Sequence, residues 1–284
     1  MYVDFDKLSV RDVQHYLQHA IAPRPICFAS TIDTKGEVNL SPFSFFNVFS
    51  SNPPIVIFSP SRSGRTNTLK HTLLNVMEVP EVSISIVDFN LIHQMNLSSC
   101  EYPEGVNEFV KSGLTMVPAD LIKPPMVAES KIKMECAVTE IKALGDNGGA
   151  GMLVFAKVLR MHIDDTVLDS HNFIDPLKVR QVARMGGDWY VDVRPEYMYK
   201  LEKPVAELGI GIDRLPEKIK LSKILTGNHL GQLANISEIP ILDPNFSAPD
   251  HLMNKTFSDI PEKQIIHYLL AGDVQSAWQI IHRM

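Results

Sequence analysis

Two long runs, KIKMECAVTEIKAL (131–144) and GMLVFAKVLRMHI (151–163), constrain this fold more than any other feature. Each alternates apolar and polar residues with the two-residue period of a strand. Between them stands Gly145-Asp-Asn-Gly-Gly149, a run of residues tolerant of positive φ and the strongest hairpin signal in the chain. A long antiparallel pair is therefore expected. The other strand-like stretches follow the same logic. Ile26–Ala29 runs into Ser30-Thr31, and Asp33-Thr34-Lys35-Gly36 then turns the chain into a second strand. Pro53-Pro54 introduces the apolar run IVIFS, and EVSISIVDF (81–89) reads as a half-buried strand. Strands linked by turns or short helices favour an antiparallel sheet closed into a barrel over a doubly wound sheet.

Helices are expected at the periphery. Ser9 with Asp12 reads as a capping box opening a helix over about residues 10–20, on which His15 and His19 stand one turn apart as a surface pair. GVNEFVKSG (105–113) reads as one short helix closed by Gly113. Near the end, Ile265, Ile266, Leu269 and Leu270, then Val274, Ala277, Trp278 and Ile281, have helical spacing broken at Gly272-Asp273, so two short amphipathic helices are predicted. EIPILDPNFSAPDHL (238–252) is expected to wander over the surface. The division predicted is a barrel domain over residues 1–200 and a partly helical extension over 201–284.

Composition limits the function. A net charge of −6 with pI near 5.9 argues against a nucleic-acid surface. Cys27, Cys100 and Cys136 are odd in number and form no CxxC, which points to a reducing compartment and to small core residues rather than nucleophiles. The N-terminus resembles no signal peptide, and no stretch approaches the roughly 18 apolar residues that span a bilayer. A cytoplasmic protein with no membrane partner is expected. No metalloprotease, P-loop or nucleophile-elbow motif occurs, no Cys/His cluster has zinc spacing, and GIGIDR (209–214) lacks the third glycine of a dinucleotide fingerprint.

Two segments carry chemistry. SPSRSGRTNTLKHT (59–72) gathers Ser59, Ser61, Ser63, Thr66, Thr68 and Thr72 beside Arg62, Arg65 and Lys70, with Gly64 letting the backbone come close. That is the donor set a phosphate monoester needs, or else a solvated turn before a helix. In the opening hairpin, Ser30, Thr31, Ser41 and Ser44 with the nearby phenylalanines suit a flat heterocycle with one polar edge, or else fill a core.

At this point the residues resemble a known family. PRPICFASTIDTKGEVNLSPFSFFNVFSSNPPIVIFSP (23–60) is similar to the signature of the flavin reductase-like, FMN-binding split-barrel family. The likeness continues through SSCEYPEGVNEF, GLTMVPADLIKPP, MECAVTEI, GMLVFAKVLRMHID and VARMGGDWY, over about residues 7–193. GIGIDRLPEKIKLSKILTGNHLGQLANISEIP (209–240) resembles an extension found in a subset of these proteins. The resemblance implies a mainly β split barrel, antiparallel and Greek-key-like, with peripheral helices. It implies FMN with its ring edge near Ser30, Thr31, Ser41, Phe43 and Ser44, and its phosphate at the 59–68 loop. Ser30 or Thr31 would then stabilise the reduced flavin at its N1 and O2 edge. The cofactor-binding set so implied is Arg24, Ser30, Thr31, Ser41, Phe43, Ser44, Asn47, Ser59, Arg62, Arg65, Thr66, Thr68 and Arg184. The family commonly has Lys-Asp-Thr where this chain reads Thr66-Asn67-Thr68, so Arg65 or Arg62 is expected to replace the missing cation. Family members are usually homodimers with flavin near the interface, which would make Arg184, Gly186, Gly187 and Tyr190 contacts from a second subunit.

The function implied is an NAD(P)H-dependent flavin reductase-type oxidoreductase, with NADH or NADPH as co-substrate. The alternatives are a flavin-binding electron carrier or storage protein, and a flavin-free barrel for another phosphorylated ligand. No catalytic side chain and no metal ligand is assigned, because in such a protein the cofactor carries the redox chemistry.

Overall fold

The computed structural model describes residues 1–201, 208–247 and 260–284, in two units, Met1–Tyr199 and Lys200–Met284. The first unit opens with α1 (Val10–Ala20), whose first turn is capped by the Ser9 side chain accepting from the Asp12 N–H. There follow β1 (Arg24–Pro25), β2 (Cys27–Ile32), β3 (Val38–Phe43), β4 (Phe46–Ser51) and β5 (Pro54–Phe58). Next come α2 (His71–Glu78), β6 (Glu81–Ile86), α3 (Ile92–Ser98) and α4 (Glu108–Ser112). The unit ends with β7 (Met116–Val117), β8 (Met126–Val127), β9 (Ile132–Ala143), β10 (Met152–Ile163), α5 (Pro176–Val179), β11 (Val182–Arg184) and β12 (Tyr190–Asp192). The predicted turns take the conformations that their glycines permit: Gly36 lies at φ 87° between β2 and β3, and Gly113 closes α4 at φ 65°.

Seven strands form one antiparallel sheet in the order β3-β2-β6-β9-β10-β5-β4. The expected long hairpin is its centre, with β9 and β10 paired from Ile132–Ile163 to Ala143–Met152. One face of the sheet closes over Cys27, Ala29, Val56, Phe58, Val82, Ile84, Met134, Cys136, Val154 and Ala156, a cluster drawn from five strands. Wrapping the sheet around that cluster removes apolar area from water at about 25 cal/mol per Å². The two edge strands are consecutive in the chain, and the corner Ser44-Phe45 joins them without a ladder between β3 and β4. That seam is the split of the barrel. It is stitched by the Phe43 and Phe58 rings, 5.3 Å apart, and by the Ser59 N–H donating to the Phe45 carbonyl at 2.9 Å.

One strand departs from its sequence pattern. β6 was expected to be half-buried, yet Ser83 and Ser85 are as enclosed as Val82 and Ile84. The 113–128 segment lies over that outer face, and the Val127 N–H donates to Ser85 Oγ at 3.4 Å. Small hydroxyls are what permit the close cover.

The second unit contains α6 (Glu217–Lys220), α7 (Gly227–Ala234), α8 (Pro261–Leu270) and α9 (Val274–Ile281), the last two broken at Gly272-Asp273 as the spacing predicts. Leu215, Ile219, Leu233, Ile265, Tyr268 and Trp278 form its core. Residues 248–252 of the expected surface stretch lie outside the described residues. The rest is pinned rather than wandering: the Asp243 N–H donates to Gln279, Gln279 to the Ile241 carbonyl, and His282 pairs with the Pro240 carbonyl. GIGIDR forms a 3-10 turn over Ile212–Arg214. No described helix is long and apolar enough to cross a membrane.

Replacing Phe58 by Ala is expected to destabilise the first unit by about 3–5 kcal/mol, the usual cost of emptying an aromatic site in a packed core. Chemical denaturation followed by near-UV circular dichroism measures it. A loss below about 1 kcal/mol would contradict the enclosed position of Phe58.

Candidate functional site

At the mouth of the seam a cavity of about 250 Å³ is bounded by four chain segments. The end of β3 supplies Ser41, Pro42 and Phe43, and the loop after β5 supplies Ser63, Arg65, Thr66, Thr68 and Lys70. The loop after α3 supplies Ser99, Cys100, Glu101 and Tyr102, while His71 and Glu108 close the floor from the first residues of α2 and α4. The segment of hydroxyls and aromatics and the segment of hydroxyls and cations thus meet in one place, although they are separate in sequence.

The shape of the 59–70 loop follows from its own residues. Arg62 Nε donates to Asn67 Oδ1 at 2.7 Å and Nη2 to the Asn67 carbonyl at 2.9 Å, which holds Asn67 at φ 57°. The Ser63 N–H donates to the Thr68 carbonyl and the Asn67 N–H to the Ser63 carbonyl, both at 2.9 Å. The loop is then clamped to the β9–β10 turn, where Arg62 N–H meets the Ala150 carbonyl and Gly149 N–H the Arg62 carbonyl. A Cβ at Gly148 would stand 2.9 Å from the Ser63 carbonyl oxygen, so glycine is what allows this approach. Within the cavity Thr66 and Thr68 share a hydroxyl hydrogen bond at 2.8 Å. Glu101 bridges the two cations, each oxygen 3.0 Å from Arg65 Nη2 or Lys70 Nζ. Lys70, then Arg65, holds the Glu101 carboxyl below the usual carboxylate range.

Of the cofactor-binding set implied by the resemblance, Ser41, Phe43, Arg65, Thr66 and Thr68 line this cavity and the others do not; Ser63 and Lys70 of the 59–72 stretch line it as well. Ser30 and Thr31 are enclosed in β2, with Thr31 Oγ1 accepting from Asn75 at 3.1 Å. Ser44 turns the seam corner, and Asn47 lies along an apolar groove beside Phe46 and Val48. Ser59 is buried, its Oγ accepting from the Met152 N–H at 3.1 Å. Arg62 serves the loop's interior rather than the cavity. Arg24 is buried and donates to the carbonyls of Gln18, Ile21 and Met185, so it ties α1 and the 185–187 turn to β1. Arg184 lies over the Tyr190 ring and donates to the Gly187 carbonyl. His15 and His19 are an exposed ring pair with centroids 4.1 Å apart.

Lys70, named among the cations of the 59–72 stretch but left out of the cofactor-binding set, supplies the cation that the Thr66-Asn67-Thr68 departure was expected to remove. The sequence reading missed His71, Glu101, Tyr102 and Glu108, although His71 stood in the hydroxyl-rich stretch and the acidic pair in SSCEYPEGVNEF. Distance in sequence hid them. The cysteines need a correction too. Cys27 and Cys136 are sealed in the core, where burial pushes the Cys136 thiol up to about 12, but Cys100 is exposed and lines the cavity. Away from the cavity, Asp120, Glu135 and His162 place one ligand atom each within 4.8 Å of one another. Those atoms already have partners: His162 for Glu135 at 2.6 Å, Arg160 for Asp120 at 2.7 Å, and the Leu121 N–H for the second Glu135 oxygen. The arrangement is a hydrogen-bonded network that ties the 120–121 loop to β9 and β10.

Glu108 is the titratable group whose environment matters most here. It accepts from the Leu40 N–H at 2.9 Å, and burial pushes its carboxyl above the usual range. The folded protein therefore holds that proton to higher pH than the unfolded chain does. Glu108 penalises stability increasingly as pH rises from the ordinary glutamate range of about 4.3 through the raised value. Glu108→Gln keeps an acceptor for Leu40 without the charge. Its melting temperature relative to wild type is expected to be higher at pH 7 than at pH 4, and a difference independent of pH would contradict this account.

The flavin reductase like domain matches residues 19–178. An uncharacterized protein of Aquifex aeolicus is 34% identical over 181 residues, covering 64% of this chain and 90% of that one. Another, from Halalkalibacterium halodurans, is 34% identical over 187 residues, covering 65% and 88%. Among solved structures, nitrilotriacetate monooxygenase component B from Bacillus cereus superposes with a TM-score of 0.66 at 25% identity, over 71% of this chain and 98% of that one. The 2-nitrobenzoate 2-nitroreductase of Pseudomonas fluorescens shares the fold with a TM-score of 0.65 at 20% identity, over 74% and 100%. With an antiparallel barrel split between its edge strands and a domain match over more than half its length, the chain belongs to the flavin reductase like family.

Proposed function

We propose that this protein binds FMN in the seam cavity of its first domain, residues 1–200, and works as an NAD(P)H-dependent flavin reductase-type oxidoreductase. The observation that carries the proposal is the meeting of Arg65, Lys70, Ser63, Thr66 and Thr68 with the Pro42-Phe43 wall in one cavity. The cations and hydroxyls suit a dianionic phosphate, and the wall suits the apolar side of a flat ring. The donor set therefore fits the group. Bound FMN would supply hydride acceptance from NADH or NADPH and electron transfer to an acceptor.

The chain's own part is to bind and orient. Arg65 and Lys70 neutralise phosphate charge, Thr66 and Thr68 offer short donors, and Phe43 gives the ring an apolar surface. No side chain is assigned a proton transfer. At about 250 Å³ the cavity falls below the roughly 300–1,000 Å³ of complete small-molecule sites, which agrees with a site finished by a second copy. We assign a homodimer on that ground and on the apolar side chains exposed along β4, Val48 and Phe49.

Two measurements test the reading. Lys70→Ala and Arg65→Ala are each expected to weaken FMN binding by about 1–3 kcal/mol, the scale of a lost charged hydrogen bond. Unchanged dissociation constants in flavin fluorescence titrations would place the phosphate elsewhere. Anaerobic mixing of the FMN-loaded protein with NADH or NADPH should bleach the flavin absorbance within seconds. Persistent yellow colour with both nucleotides would instead favour an electron carrier.

A further inference from the structure

Resting on the flavin reading, we propose that Glu101 is a built-in competitor for the cofactor phosphate and sets how tightly this protein holds a mononucleotide. Arg65 and Lys70 are the cations of the cavity, and one carboxylate from a different loop engages both, at 3.0 Å each. A carboxylate spanning two cations presents the same pair of acceptor oxygens that a phosphate would. The neighbouring hydroxyls of Thr66 and Thr68 hydrogen-bond to each other at 2.8 Å. Nothing anchors Glu101 firmly: its side chain is 57% exposed, and exposed ion pairs are weak.

A phosphate monoester brings about −1.5 to −2 charges against the single charge of the carboxylate, so it can displace Glu101 from both cations. Each binding event must then break two ion pairs and leave a like charge beside the new occupant. FMN is held less tightly than its donor set alone would allow, and it exchanges. A flavin without a phosphate disturbs neither pair, so Glu101 leaves its affinity untouched. The opposite role is that Glu101 pre-organises Arg65 and Lys70 for phosphate, and the two roles predict opposite signs.

Fluorescence titration of FMN and of riboflavin into the wild-type full chain and Glu101→Gln separates them. The variant is expected to bind FMN roughly ten-fold tighter, as expected for two exposed pairs released together, and riboflavin with unchanged affinity. Glu101→Ala should give the same gain, because neither change removes a buried group. Unchanged or weaker FMN binding by the variants, with saturable wild-type binding, overturns this inference alone. An equal gain for riboflavin also overturns it. No saturable FMN binding by any of the proteins overturns the flavin reading, and this inference with it.

Discussion

Everything at the site depends on the closure of the sheet around its interior cluster. Phe58, Val154, Met134, Ile84 and Ala29 come from five different strands, and only a curled sheet puts all of them out of water at once. That curl brings the ends of β3 and β5 together at the seam. The loop after β5 and the last residues of β3 are neighbours because the core is closed, and their own contacts only refine the approach. Packing energy thus sets the distance between the two halves of the cavity.

The seam shows why the closure is incomplete. β3 and β4 follow one another through Ser44-Phe45, so the chain turns a corner there and no ladder forms between them. A closed ladder would satisfy more backbone groups, but it would also cover the ground where the cavity opens. The aromatic stitch of Phe43 on Phe58 replaces the missing ladder with a contact that has an exposed side. A weak point in the barrel becomes a polar mouth with an apolar wall.

Charge at that mouth is arranged with a similar economy. The chain is acidic overall, yet Arg65 and Lys70 face one cavity, compensated by a single carboxylate. Arg62, equally prominent in sequence, is spent on the loop's shape through Asn67. Arg24 likewise holds carbonyls of α1 and the 185–187 turn. Arginines of the same apparent promise therefore divide into those that face solvent and those that build the frame, and hydrogen-bond geometry makes the division.

Most of the long strands, the β9–β10 hairpin, the Gly36 and Gly113 turns and the paired C-terminal helices were legible in the sequence, because period and turn chemistry are local properties of a few adjacent residues. The hydroxyl and cation content of the 59–70 loop was legible for the same reason. The sequence could not say which hydroxyls would face the cavity: Ser30, Thr31 and Ser59 have the composition of Thr66 and Thr68 but are enclosed by α2 and the neighbouring strands. Nor could it bring Glu101 to Arg65 and Lys70, or Glu108 to Leu40, since those contacts span 31 to 68 residues. Contacts at that range exist only once the core has closed, so sequence set the materials of the site and tertiary packing chose its members.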